Sequence, residues 1–332
     1  MESNVGIFII TILLITSFFS CTFNTNLEIT RQNNEIDSDL RKEIKELNEI
    51  FINCVEEEDN TRLRSVFSEP LIEHLGEDFS SIIPKFQEIY DDNEYVVFKE
   101  YYTIFKKIGN NNNGTIIGSE EDDFIIDFNF QNEESYFLFL KSEHIGLQYL
   151  LFFALSKYDN KWKIDSINLG KYSVNGYNAH QLVEKAKEMN EKGDVFNSIF
   201  YTLALSEVLR PLTFLEYKKE KEYKEFYKKN INEINEDITF PIIFSDSVQI
   251  LGLNVELTND NGIIPVVQYI TDKDFEENIL LEEINIFKEE LIKEFPGIDH
   301  EFEKILFRAY SEMPTDPEKE YSIYNSVLTW ND

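Results

Sequence analysis

Apolar residues recur every three or four positions from Asp39 to Val55. Leu40, Ile44, Leu47, Phe51 and Val55 share one face, the pattern of an amphipathic helix. Leu63, Val66 and Phe67 suggest a second short helix stopped by Pro70. Leu71 to Tyr90 is expected to stay helical, with a break at Pro84. Tyr95 to Ile108 is apolar and aromatic and reads as a flanking helix that ends at Gly109. Asn110 to Gly114 then forms a loop by composition.

The period next shortens to two. Phe124, Ile126, Phe128 and Phe130 alternate with Ile125, Asp127 and Asn129, and Gln131-Asn132-Glu133 supplies a turn. Strands follow at Tyr136 to Leu140 and Leu147 to Leu155. Tyr158-Asp159-Asn160-Lys161 makes a tight hairpin into Trp162-Lys163-Ile164-Asp165. Short turns between consecutive strands predict an antiparallel sheet.

Helical spacing returns from Asn178 to Pro211, with Leu182, Ala186 and Met189 on one face. Gly193-Asp194 turns the chain into a face of Phe196, Ile199, Phe200 and Leu203. Leu215 to Ile234 mixes six lysines with glutamates and reads as a solvated helix. Strands are expected at Ile238 to Phe244, Val248 to Leu257 and Ile263 to Ile270, with Asn261-Gly262 turning the last pair. Leu280, Ile284, Phe287, Leu291 and Phe295 define a helix ended by Pro296-Gly297. Asp299 and Asp316 are candidate N-caps of two more. The predicted class is α+β: helices packed on a curved antiparallel sheet, then a helical hairpin, then a second, smaller α+β unit.

At the other end of the chain, Val5 to Phe19 runs fifteen residues without a charge, too short for the roughly 20 that span a bilayer. Its length and position suit a signal-peptide core. Phe18-Phe19-Ser20-Cys21 resembles the lipobox of bacterial lipoproteins, which implies cleavage before Cys21 and lipidation there. Two features depart from that pattern: Met1-Glu2-Ser3-Asn4 lacks Lys and Arg, and Phe18 and Phe19 replace a branched and a small residue. The expected partition is a signal peptide at 1–20, a flexible Asn-rich tether at 21–38, a first domain at 39–175, a helical region at 176–236 and a C-terminal α+β domain at 237–332. The expected place is the cell envelope, with the chain anchored to a membrane through its N-terminal lipid.

The chain has 332 residues, 42 % of them hydrophobic, which suffices for one or two sizeable cores. Acidic residues outnumber basic ones 63 to 31, for a formal charge of −32. Nucleic acid is excluded as a partner, because binding phosphates needs clustered Lys and Arg. A basic protein partner fits the charge. Of two cysteines, Cys21 is the lipidation candidate and Cys54 falls in the apolar register of the first helix, as a small hydrophobe would.

No constellation for chemistry emerges. His74, His144, His180 and His300 have no partner at zinc-motif spacing. No G-x-S-x-G, P-loop or G-x-G-x-x-G occurs. Asn259-Asp260-Asn261-Gly262 resembles part of a calcium loop, but position one would be Leu257, where an acid is required. Glu56 to Asp59 and Glu120 to Asp123 read as exposed charged loops. No catalytic, metal or cofactor-binding residue is assigned, and no cofactor is expected.

Helices followed by an antiparallel sheet closing on Lys161-Trp162-Lys163-Ile164-Asp165-Ser166-Ile167 resemble the nuclear-transport-factor-2-like, or cystatin-like, fold over about residues 39 to 175. Enzymes of that class keep a carboxylate, Tyr or His inside the sheet's cone. Here the strand faces Phe124, Ile126, Phe128, Phe130 and Leu147, Tyr149, Leu151, Phe153, Leu155 would fill it with apolar groups. Asp127 and Asp165 alternate away, and Tyr101 and Tyr102 are the polar candidates beside it. The hairpin at 178–211 is similar to a single tetratricopeptide repeat at Gly193, Ala204 and Pro211, with no second copy. The leading expectation is a non-catalytic binding or scaffolding lipoprotein. The alternatives are a small hydrolase or isomerase using the cone, and an immunity-type protein whose acidic face neutralises a basic toxin.

Overall fold

A computed structural model describes residues 27–90, 94–105, 113–118, 124–244, 248–315 and 319–330. These fall into two units. The first takes the described residues up to His144, with 149–171 and 210–218; the second takes 145–148, 172–209 and the rest from Lys219. The class is α+β, with eight α-helices and three sheets among the described residues.

The first unit begins with β1 (Leu27–Gln32) and α1 (Ser38–Glu56). The Asp37 carboxylate caps α1, accepting from the N–H groups of Asp39 and Leu40 at 2.9 and 3.3 Å. Asp59 caps α2 (Asn60–Val66) and Ser68 caps α3 (Glu69–Leu75). Gly76 ends α3 with a φ of +51°, which glycine adopts without strain. A 3-10 stretch leads into α4 (Ile82–Tyr90). Then come β2 (Tyr95–Phe105), β3 (Asn113–Ile117), β4 (Phe124–Asn129), β5 (Glu134–Ser142), β6 (Leu147–Tyr158), β7 (Lys161–Val174) and, after an excursion into the second unit, β8 (Leu215–Tyr217).

One sheet has the order β1-β2-β5-β6-β7, and a smaller one β3-β4-β8. The larger sheet is covered on both faces. On one, Tyr136, Leu138, Leu151, Phe153, Trp162 and Ile164 form a single core with Phe51, Leu63, Phe67, Leu71 and Phe79 of the helical segment. On the other, Phe137, Phe139 and Phe152 meet the small sheet, with Phe128 4.8 Å from Phe137 and Phe214 4.6 Å from Phe152 between ring centroids. Double coverage explains why β6 reads Leu-Leu-Phe-Phe-Ala-Leu without alternation. The chain carrying β8 crosses β7 so closely that a Cβ on Gly170 would stand 1.6 Å from the Pro211 carbonyl oxygen.

The second unit opens with the hairpin α5 (Ala179–Lys192) and α6 (Val195–Val208). Asn178 and Gln181 form a capping box, Gly193 turns at a φ of +78°, and Asp194 caps α6. α7 (Glu220–Asp237) is joined to the hairpin by Asn230, which donates to Ser198 Oγ at 3.0 Å and Thr202 Oγ1 at 2.7 Å and accepts from Asn190 at 2.7 Å. Next follow β9 (Ile242–Ile243), β10 (Val248–Thr258), β11 (Gly262–Thr271), α8 (Glu277–Glu294), β12 (Lys304–Tyr310) and β13 (Ile323–Thr329). The sheet order is β13-β12-β11-β10-β9, with β11 and β12 parallel across α8. Phe287 of α8 packs on Tyr269 and Phe307 at 5.2 and 5.4 Å.

Several expectations are corrected. Tyr95 to Phe105 is strand, not helix, because its β-branched and aromatic residues fit a sheet. Leu27 to Gln32, within the expected tether, pairs with β2 through Ile29 to Ile104 and Thr30 to Thr103. β4 and β5 do not pair with each other but belong to different sheets. The break falls at Gly76, while Pro84 sits in the first turn of α4, where its missing N–H costs nothing. Leu215 to Tyr217 is strand, and the helix begins at Glu220. No helix follows Asp299; β12 does. Asp316 lies outside the described residues, and the chain beyond it forms β13. The region 176–236 contributes 210–218 to the first unit and the rest to the second.

Candidate functional site

The helix-covered face of the first sheet, where a cone pocket would open, is closed by packing. Phe153, Leu151, Leu155 and Ile164 are 0–2 % exposed there. The face Phe124, Ile126, Phe128 and Phe130 is not part of it: those rings lie on the small sheet against the opposite side. Tyr101 is buried on that opposite side with its ring 6.0 Å from Phe139, and Tyr102 faces the helical core beside Trp162.

Carboxylates are instead held by tyrosine hydroxyls, at spacings the sequence could not relate. Tyr136 donates to Glu100 at 2.6 Å, Tyr102 to Glu134 at 3.1 Å, Tyr158 to Asp165 at 2.9 Å, Tyr201 to Glu301 at 2.9 Å and Tyr269 to Glu283 at 3.4 Å. Burial first, then the adjoining carboxylate, pushes the Tyr102 phenol up to about 12 and the other four upward as well. Each tyrosine therefore stays a neutral donor at physiological pH. In a chain with twice as many acids as bases, phenols supplement the lysines and arginines; Glu134, for example, also takes Lys157 Nζ at 3.3 Å. Glu100 also takes Arg41 Nε at 3.0 Å, and Glu283 also accepts from Thr271 at 2.8 Å.

Of these acids in the first unit, Glu100 and Asp165 are both buried. Burial raises the Asp165 pKa, against hydrogen bonds from Ser156, Ser68 and Tyr158 that lower it. The folded chain thus binds that proton more tightly than the unfolded chain does. Its contribution to stability is full below the ordinary aspartate value of about 3.9 and is lost as pH rises through the raised folded value. Asp165→Asn, which has no charge to bury, should gain on the wild type as pH rises from about 4 to about 8. Thermal melts across that range test this; a melting-temperature difference independent of pH would contradict it.

A cleft of about 250 Å³ lies between α1, α2 and the start of β7, lined by Glu43, Glu46, Leu47, Ile50, Lys161 and Trp162 among others. It falls short of the roughly 300–1,000 Å³ of ordinary ligand pockets. Two glutamates and a lysine on an aliphatic floor offer a surface for contact, not a convergent acid–base pair.

The remaining candidates stay apart. His74 and His300 are exposed and His144 and His180 half-buried. Among the described residues no three His, Cys, Asp or Glu gather as a metal site. Asn261-Gly262 closes the β10–β11 hairpin, with Gly262 at a φ of +66°. Glu56, Glu57 and Glu58 are exposed at the end of α1, and Glu120 to Asp123 lie outside the described residues. Cys54 is fully buried and free, and burial raises its pKa. Asp127 accepts from Thr115 Oγ1 at 2.6 Å within the small sheet. Cys21 lies outside the described residues; among those described, no helix is long and apolar enough to cross a membrane.

Sequence reasoning passed over β13. It ends its sheet, and among the described residues it has no strand on its outer side. Ile323 and Val327 are 49 % and 48 % exposed, and none of its seven residues is charged. The signal was present in Ile-Tyr-Asn-Ser-Val-Leu-Thr, a β-prone run that follows Ser322.

No family profile, no curated protein and no solved structure matches the chain.

Proposed function

We propose that the protein is a non-catalytic binding or scaffolding module, carried outside the cytoplasm and held at a membrane by a lipid on Cys21, and that it engages a basic protein partner. The observation that carries this reading is the contrast between interior and surface. The sheet face that would form a reaction chamber is filled by Phe153, Leu151 and Trp162, while the chain bears a charge of −32. Such charge acts at a distance, raising encounter rates with a positive partner. Helices preceding the antiparallel strands up to the Trp162 strand support a cystatin-like reading of 39–175; β1 and the small second sheet are additions to it.

Mass spectrometry of the native protein from the membrane fraction tests the anchor. The expected mass lacks residues 1–20 and carries acyl chains on Cys21. An intact Met1 with a free Cys21 thiol would refute it.

A further inference from the structure

We propose that β1 sets the height of the first unit above the membrane, holding it within about 20 Å of the bilayer with the Leu27 end of its large sheet turned toward the lipid. The proposal rests on the Cys21 anchor put forward above and adds the height and orientation of the first unit.

Length carries the argument. A tether over the whole of 21–38 would reach about 60 Å when fully extended. β1 removes most of that reach. Its pairing starts at Leu27 with Phe105, six residue steps after Cys21. Six steps span at most about 20 Å, whatever path they take.

The chain after Leu27 is fastened at several points. Ile29 to Gln32 pair with Ile104 to Tyr101. Thr103 Oγ1 donates to the Ile29 carbonyl at 3.0 Å, and the Glu100 N–H donates to Asn33 Oδ1 at 2.9 Å. Arg41 joins Asn34 Oδ1, at 3.2 Å, to the buried Glu100 carboxylate, at 3.0 Å. Ile36 is 3 % exposed and belongs to the helical core. Residues fastened in this way cannot serve as slack.

Orientation follows from strand direction. β1 runs away from the anchor, with β2 and then β5 beside it. The Leu27 end therefore carries Phe105 and Glu133, whose carbonyl accepts from the Phe105 N–H at 2.7 Å. Glu143 follows the other end of β5, ten residues on, which is about 33 Å along an extended strand. Both glutamates are exposed. Glu133 thus stays close to the headgroups and Glu143 stands farther out. A partner of the first unit is met at the membrane surface, not at the end of a long leash.

The test uses the protein purified from its native membrane and reconstituted in phosphatidylcholine vesicles that carry a headgroup-labelled acceptor. The donor dye sits on Glu133→Cys or on Glu143→Cys. Cys54 is fully buried and Cys21 is blocked by its lipid, so neither takes the dye. Energy transfer should be at least about threefold stronger from the Glu133 position, given the strand length between the two. Inserting about twelve Gly/Ser residues between Asn26 and Leu27 leaves the fold intact and should lower that transfer at least about twofold. Equal transfer from the two positions, or transfer indifferent to the insertion, would overturn the proposal. Mass spectrometry of the same samples separates the two readings. An acylated Cys21 with equal transfer overturns the height and orientation alone, whereas an unmodified Cys21 removes the anchor and the proposal with it.

Discussion

Trp162→Ala should destabilise the first unit by about 3–5 kcal/mol, the usual cost of emptying a fully packed large aromatic site. The side chain is 4 % exposed and joins the core that unites α1–α4 with β5, β6 and β7. Tyr102 and Tyr136 meet its ring edge-on at 6.5 and 6.3 Å. Among the described residues its indole N–H has no acceptor, and a buried orphan donor costs about 1–3 kcal/mol. Trp162→Phe should therefore lose much less than Trp162→Ala, because it removes that donor with part of the ring. Hydrogen exchange read by mass spectrometry provides the check. Protection in β5 to β7 should collapse in the alanine variant while β10 to β12 keep theirs. A loss below about 1 kcal/mol would mean that the helical layer does not rest on this face.

The opposite face carries the second large effect. Phe152 is 0 % exposed, with Phe137, Phe139 and Phe214 at 5.5, 4.8 and 4.6 Å. Phe152→Ala would open a cavity between the two sheets at a cost of about 3–5 kcal/mol. The two tryptophans make this measurable, since Trp162 lies in the first unit and Trp330 in the second. In a Trp330→Phe background, denaturant unfolding followed by Trp162 emission reports the first unit. Its midpoint should fall sharply on adding Phe152→Ala. An unchanged midpoint would show that the small sheet contributes no packing to the large one.

That double layer also explains what could be read from the sequence. α1 announced itself because it has one wet side: Leu40, Ile44, Leu47, Phe51 and Val55 stand out against lysine and glutamate. The Asp159-Asn160 and Asn261-Gly262 hairpins were legible because Asp159, Asn160 and Gly262 take positive φ, which those residue types favour locally. β2 was not, because its apolar and aromatic residues run on without alternation, and its Val, Tyr and Ile content was the surviving clue. β12 and β13 were hidden behind the cap-like Asp299 and Asp316. A seven-residue strand that pairs in parallel across α8 leaves no turn signature beside its partner. The Tyr–carboxylate bonds span 7 to 100 residues, so no local spacing could expose them. The site fared worst: Cys21 was chosen by a local motif, whereas the pairing of β1 that limits its reach exists only once the sheet order is known.

The central claim is that this protein works by binding, through its acidic charge. The most direct measurement is the association rate of the full chain with a native partner recovered from the membrane fraction, followed from low to high ionic strength. Charges are screened over about 8 Å at physiological salt, so the account predicts a rate that falls steeply as salt rises, with dissociation changing far less. An association rate indifferent to salt would contradict it.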